Sequence, residues 1–247
     1  MSTDLRNTVA LVTGANRGIG RAIVQRLLES GARVYAGARN PVALQPLLEQ
    51  YGPRLRALKL DVTSDADVAA AAEAAGDVNL LINNAGVAGF STGLDAHALD
   101  AARHEIEVNY LGLLRVTGAF APILHRNGGG TVVNIASIAS MINFPVLGTY
   151  SASKAAAWSV SLALRAGLAP QGTRVITVHP GPIDTDMAEA VPFDKVPPAV
   201  VADALVAALA SGDDEIFPDP MAQDLHARWS ADRHAVQREM SASPQPA

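Results

Sequence analysis

Val9-Ala-Leu-Val-Thr13 runs directly into Gly14-Ala-Asn-Arg-Gly18-Ile-Gly20, and a helical pattern follows over 19–30. A short apolar run, a glycine-rich turn and a helical stretch in that order read as a strand feeding a helix. Glycines let backbone approach a pyrophosphate closely, and the free N–H groups at a helix N-terminus favour its charge. The spacing is Gly14-x-x-x-Gly18-x-Gly20 rather than G-x-G-x-x-G. An ordinary strand-to-helix turn is the plain alternative. The strand before and the helix after make the phosphate reading the stronger one.

The same alternation continues along the chain. Short, β-branched runs apolar on both faces fall at 9–13, 33–37, 56–60, 79–83, 131–136, 174–179 and 215–217. Helical patterns separate them at 19–30, 42–51, 65–75, 98–126, 151–168 and 199–211, and 221–240 reads as one more helix. Strands buried on both faces belong inside a parallel sheet. The expectation is an α/β fold, a Rossmann-like doubly wound parallel sheet of about seven strands with helices on both faces. Residues 1–240 are expected to form a single dinucleotide-binding catalytic domain and 241–247 a disordered tail. Gly128-Gly129-Gly130 and 192–198 read as surface connections.

Composition narrows the classes. Of 247 residues, 49% are hydrophobic and 17% charged, which suits a large buried core rather than disorder. Net charge is −5, from 19 basic and 24 acidic residues, so neither a nucleic-acid footprint nor a polybasic membrane surface shows. The absence of cysteine removes disulfides, thiol catalysis and thiolate metal sites. Met1-Ser-Thr-Asp-Leu-Arg6 lacks a signal pattern and no apolar run reaches spanning length, so a cytoplasmic location is expected. No metal is expected: the six histidines show no ligand spacing, and Asp184 and Asp186 beside Thr185 are a poor argument alone. His179, after an apolar strand, reads as a core residue or one behind the site rather than a base. Asp213-Asp-Glu215 reads as a solvated turn.

The end of the second strand bears on the cofactor. An NAD site uses an acid about 20 residues on to accept from the ribose 2′-OH. Val34-Tyr-Ala-Gly-Ala-Arg39-Asn40 carries none; it offers Arg39, and Arg17 projects from the glycine turn. Either arginine alone is compatible with a solvated surface charge. Together, with the acid missing, they favour the 2′-phosphate of NADP(H).

Tyr150-Ser-Ala-Ser-Lys154 puts a phenol and an amine one helical turn apart, with Ser137 upstream. An ammonium held there is expected to stabilise phenolate, moving a group with a reference pKa of about 10 towards working pH. Such a tyrosine gives a proton to a carbonyl oxygen or takes one from an alcohol. Tyr-x-x-x-Lys alone is common by chance. Ser137 also reads as a turn or cap residue, and Asn109 as a helix side chain bonding backbone.

In these residues the chain resembles the classical short-chain dehydrogenases/reductases, over roughly 7–217. Thr13–Gly20, Asn83-Asn-Ala-Gly86, Asn109, Ser137, Tyr150-x-x-x-Lys154 and Pro180-Gly181 carry the likeness, in matching order and spacing. The resemblance implies that Asn109, Ser137, Tyr150 and Lys154 form the catalytic set. Asn109 would hold a water linking Lys154 to solvent, and Lys154 would also bond the nicotinamide ribose. Asp61 would bond the adenine amino group, the Asn-Asn-Ala-Gly segment would border the cofactor and support the sheet, and Thr185 would lie near the carboxamide. The expected cofactor contacts are Gly14, Asn16, Arg17, Gly18, Ile19, Gly20, Arg39, Asp61, Val62, Asn83, Ala85, Gly86, Tyr150, Lys154, Pro180, Gly181, Ile183 and Thr185.

The reading is thus an NADP(H)-dependent carbonyl reductase/alcohol dehydrogenase. Met141, Ile142, Phe144, Val146, Leu147, Ile183 and Met187 are expected to line the pocket, favouring a small apolar ketone or aldehyde, or the corresponding secondary alcohol. A silent NADP(H)-sensing binding protein, or a same-fold epimerase or dehydratase, are the competing readings. An intact Ser137, Tyr150 and Lys154 speaks against the first, and the lack of room for a larger substrate domain against the second. Stretches 110–124 and 155–168 are apolar or small nearly all round, so their outer faces also need burial. The resemblance implies a homodimer through them, or a homotetramer; the charged stretch 224–240 departs from many relatives and favours the dimer.

Overall fold

A computed structural model describes residues 5–189 and 193–242. The expectations for Pro192 and for 243–247 lie outside the described residues. The strands are β1 (Val9–Thr13), β2 (Arg33–Ala38), β3 (Leu55–Lys59), β4 (Leu80–Asn83), β5 (Gly130–Ile135), β6 (Thr173–Val178) and β7 (Glu215–Ile216). They form one parallel sheet in the order β3-β2-β1-β4-β5-β6-β7. The helices are α1 (Gly18–Glu29), α2 (Gln45–Tyr51), α3 (Asp65–Ala74), α4 (Ala98–Glu105), α5 (Gly112–Arg126), α6 (Gly148–Leu168), α7 (Pro198–Ser211) and α8 (Pro220–Ala242).

Side chains alternate along a strand, so each strand feeds two cores. Ala10 and Val12 of β1 point to one face and join Ile23, Leu27, Leu47, Val201 and Leu205 from α1, α2 and α7. Val9 and Leu11 point to the other and join Val68, Val116, Phe120 and Ile123 from α3 and α5, with Leu164 and Leu168 of α6 packed against them. Burying one such side chain fully contributes about 1.5–3 kcal/mol. This two-faced burial makes the strand sequences apolar throughout, as in β1, where all five residues are buried.

The chain winds from β1 outward through β2 to β3, then returns to β4 on the other side of β1. Strand order therefore reverses between β1 and β4, and a crevice opens at their carboxyl ends. Thr13 closes its floor: its Oγ1 accepts from the Asn84 and Ala85 N–H groups, both at 3.0 Å.

Several elements depart from expectation. The helical stretch 98–126 is interrupted by a π-helical turn, Ile106–Leu111. Within it Asn109 turns its side chain out to Val87 and Ser153. The last helix is kinked at Asp232, whose backbone leaves the helical region at φ −152° and ψ 92°. The reason is a cap: Asp232 Oδ1 accepts from the N–H groups of His234 and Ala235, restarting the helix. Helix α8 also runs to Ala242, so Ser241 and Ala242 are helical rather than tail. Helix α6 begins at Gly148, which places Tyr150 in its first turn.

Candidate active site

The carboxyl ends of the strands border a cleft of about 400 Å³. At one end Gly14 and Gly18 hold left-handed backbone, at φ +65° and +52°. Gly20 is needed for a different reason. A Cβ there would lie 2.3 Å from the Gly14 carbonyl oxygen and 2.4 Å from Asn84 Nδ2. Helix α1 opens at this turn, and its N-cap residue Arg17 makes no side-chain capping bond among the described residues. The leading N–H groups of α1 thus stay available to an anion.

Arg17 and Arg39 both line the cleft, as do Asn16, Ile19, Asp61 and Val62. Arg17 Nη1 donates to Asp186 Oδ2 at 3.0 Å, a solvent-exposed pair. Asp61 Oδ1 accepts from the backbone N–H and the hydroxyl of Thr63, at 2.9 and 2.8 Å. The backbone bond from Thr63 is the main cause holding the Asp61 carboxyl below its usual range, with a smaller contribution from Arg39. Thr185 lies against the turn, since a Cβ on Gly18 would come 3.0 Å from its Cγ2.

One expected contact sits elsewhere. Asn83 is buried at the end of β4 in the middle of the sheet, donating from Nδ2 to Thr117 Oγ1 and Asn134 Oδ1 at 2.9 and 2.8 Å. It supports the sheet but does not line the cleft; its neighbour Asn84 does, with Ala85 and Gly86. Because side chains alternate, one position along the strand exchanges the interior for the cleft. Asn84 donates to the Thr13 and Gly14 carbonyls, tying the turn to β4.

At the other end of the cleft stand Ser137, Tyr150 and Lys154. Ser137 follows β5 directly and opens a short turn. Its Oγ accepts from Ala139 N–H at 3.1 Å, while Ser140 Oγ accepts from Ser137 N–H at 3.2 Å. The Ser137 hydroxyl faces the Tyr150 phenol. Lys154 Nζ donates to the Ile135 carbonyl at 2.9 Å and sits 5.8 Å from the centre of the Tyr150 ring. Asn109 lies behind rather than in the cleft. It accepts from Val87 N–H and donates to the Val87 carbonyl and Ser153 Oγ, all at 2.9 Å. A Cβ on Gly86 would touch both Asn109 Oδ1, at 3.2 Å, and Lys154 Nζ, at 3.4 Å.

The electrostatics differ from the sequence expectation. Burial pushes the Tyr150 phenol up to about 12; the Ser137 hydroxyl opposes this, and the Glu105 carboxylate adds to it. Burial also lowers Lys154 to about 8. Burial of the phenol is the dominant cause, so its pKa moves away from neutral pH rather than towards it. Glu105, which sequence reading passed over, is buried on α4 and accepts from Gly89 N–H at 2.6 Å.

The apolar end is only partly as expected. Phe144, Leu147, Ile183 and Met187 line it, joined by Phe90, Phe193 and Met221. Ile142 instead packs beneath α8 with Ala222, Leu225 and Val236, Met141 packs against the same cluster, and Val146 is not among the lining residues. Asp219 connects this wall to the Pro180-Gly181 segment. Its Oδ2 accepts from Gly181 N–H at 2.7 Å and its Oδ1 from Ala222 N–H at 2.9 Å, capping α8. Met221 reaches the cleft only through packing, and nothing local to Asp219 points to its bond with Gly181.

No helix among the described residues is long and apolar enough to cross a membrane. The profile of a family described as short chain dehydrogenase matches residues 8–195. The chain is 43% identical to a short chain dehydrogenase of Burkholderia cenocepacia J2315, whose crystal structure is a complex with NADP. That superposition has a TM-score of 0.91 and covers 99% of this chain and 100% of the other. A short chain dehydrogenase/reductase of Burkholderia phymatum, in complex with NAD, is 26% identical with a TM-score of 0.81, over 100% of this chain and 99% of that one. An uncharacterized oxidoreductase of Staphylococcus epidermidis is 30% identical over 212 residues, 83% of this chain and 92% of its own length. With the doubly wound sheet and the shared motif order, these place the chain as an oxidoreductase that belongs to the short-chain dehydrogenase family.

Proposed function

We propose that the chain is an NADP(H)-dependent carbonyl reductase/alcohol dehydrogenase acting on small, largely apolar ketones, aldehydes or secondary alcohols. The observation that carries this is one cleft holding Ser137, Tyr150 and Lys154 beside apolar side chains, and an uncapped glycine turn with two arginines beyond them. The residues fit a dinucleotide. The close approach at Gly20 leaves a backbone cradle that a Cβ would fill, and α1 presents free N–H groups to a pyrophosphate. Arg17 and Arg39 would hold the 2′-phosphate, and the relative from B. cenocepacia, which carries NADP, supports that choice. Lys154 would hold the nicotinamide ribose. When bound, the cofactor supplies or accepts the hydride.

The chain's own residues manage the proton and the oxygen. In reduction, negative charge grows on the carbonyl oxygen. Ser137 Oγ holds that oxygen by a hydrogen bond and Tyr150 gives it the phenolic proton, both acting where charge develops. A phenol pushed up to about 12 is fully protonated at neutral pH, the form a general acid needs. Asn109 positions the Val87 backbone and Ser153 behind Lys154. Phe90, Phe144, Leu147, Met187 and Met221 receive the apolar part of the substrate. Leu111 and Leu162, exposed on outer faces beside α5 and on α6, support pairing of two copies there.

The test is NADPH oxidation against a panel of ketones and aldehydes, wild type beside Tyr150→Phe. Turnover by wild type and not by the variant supports the assignment. Equal turnover by both removes Tyr150 as the acid. NADPH binding without turnover of any carbonyl moves the reading to a cofactor sensor.

A further inference from the structure

Helix α8 covers the turn after Ser137 in two pieces. Its root is fixed at β7 and Asp219. Glu215 is no solvated turn residue, contrary to the sequence expectation: Arg165 donates to its Oε1 at 2.7 Å, and its Oε2 lies 2.6 Å from the buried His179 ring. Asp219 then caps the first turn. The first half packs Ala222 and Leu225 against Ile138, Ala139 and Ile142. At Asp232 the helix breaks and restarts, which re-aims the second half. Val236 of that half is buried in the same cluster, with Ile142 and Phe144. Arg228 spans the break, bonding Asp224 on one side and Glu239 on the other.

Gln237 comes next in the chain and meets Asn143 twice. Its Oε1 accepts from the Asn143 N–H at 3.1 Å, and its Nε2 donates to the Asn143 carbonyl at 3.0 Å. A carboxamide suits this because it carries an acceptor and a donor on one fork; a carboxylate has no donor and an ammonium no acceptor. The two residues are 94 positions apart. We infer that Gln237 is a specificity-determining positioning residue: it clamps the Asn143 backbone and so sets where Phe144 stands in the apolar wall of the cleft.

The clamped segment needs an outside support. Ile142 N–H is bonded within its own turn, to the Ile138 carbonyl, and the next turn begins only at Pro145. Asn143 falls between them, and among the described residues only Gln237 bonds its backbone. Phe144 follows at once; it lines the cleft and meets Phe193 edge-on at 6.4 Å. Neither Asn143 nor Gln237 lines the cleft, so the effect on a substrate passes through Phe144. This role rests on the proposed use of that wall for the substrate; the clamp itself does not.

Hydrogen exchange read by NMR tests the clamp without turnover. The Asn143 amide is expected to be protected in wild type and to exchange about tenfold faster in Gln237→Ala, the effect of losing one hydrogen bond. Equal exchange in the two proteins overturns the clamp. Kinetics then test the role. Gln237→Ala is expected to raise KM for ketones about three- to tenfold, with kcat and the NADPH KM unchanged. Gln237→Glu keeps the length and helix propensity but sets an oxygen against the Asn143 carbonyl, and should raise the ketone KM at least as much. A lowered melting temperature with ketone KM unchanged in both variants makes Gln237 a structural contact and sinks the specificity role. A loss shared equally by the NADPH KM does the same. If wild type turns over no carbonyl at all, the enzymatic reading has failed, while the exchange result still decides the clamp.

Discussion

The glycine turn and the apolar wall stand at opposite ends of one cleft and are built in opposite ways. The turn is local: Thr13 to Gly20 supply its backbone shape, and its main outside support is Asn84, which bonds the Thr13 and Gly14 carbonyls. The wall is assembled from afar. Phe144 and Leu147 come from the stretch before α6, Phe90 from the loop after β4, and Met221 from the start of α8. A site made by backbone conformation tolerates few sequences, whereas one made by apolar packing accepts many of the right volume. The cofactor end should therefore respond sharply and selectively to substitution, and the substrate end gradually.

The largest effect is expected where the two ends meet. Tyr150→Phe keeps the ring packing and removes the acid. Turnover should fall about 10²–10⁴-fold, the range of general acid–base catalysis, with NADPH affinity little changed by titration calorimetry. The same phenol fixes the pH response. Its pKa is raised to about 12, so the protonated form persists through neutral pH and carbonyl reduction should not fall there on account of Tyr150. Alcohol oxidation needs the phenolate and should rise with pH over the same interval. A reduction rate that falls through neutral pH would show that a group of lower pKa supplies the proton.

Next in size is the nucleotide end. Arg39→Asp places a carboxylate at the end of β2, where an acid accepts from the 2′-hydroxyl of NAD. Loss of one or two charge-assisted bonds predicts NADPH binding weaker by about ten- to a hundredfold, and NADH binding unchanged or improved. An equal loss for both cofactors would mean that Arg39 supports the fold rather than the phosphate.

The same contrast explains what was legible in the sequence. The sheet could be read because two-faced burial forces continuous apolar strands, and the order of Gly14, Ser137, Tyr150 and Lys154 could be read because each sits at a strand end or in a helix turn. Asn83 was assigned to the cleft although alternation along β4 sends it inward, to Thr117 and Asn134, and gives the cleft to Asn84. Glu105, Asp219 and Met221 were missed because their places depend on contacts distant in sequence. Asp219 meets Gly181 across 38 positions, and no periodicity encodes such a meeting. The raised pKa of Tyr150 was invisible for the same reason: four-residue spacing brings Lys154 near, but does not encode the packing that buries the phenol.

The smallest expected effect falls on the wall itself. Met221 lines the cleft from the first turn of α8, while its neighbour Ala222 is held by Asp219. Met221→Ala should leave that cap in place and deepen the pocket by the volume of the side chain. A methylene or two in an apolar pocket shifts selectivity by about 1–3 kcal/mol per group. The ratio of kcat/KM for a longer over a shorter ketone should therefore rise about tenfold or more, with the NADPH KM unchanged. Because methionine is flexible and half-buried here, the loss of stability should be small. If selectivity stays fixed while the NADPH KM moves, α8 acts on the cofactor end, and the division between a locally built turn and a packed wall does not hold.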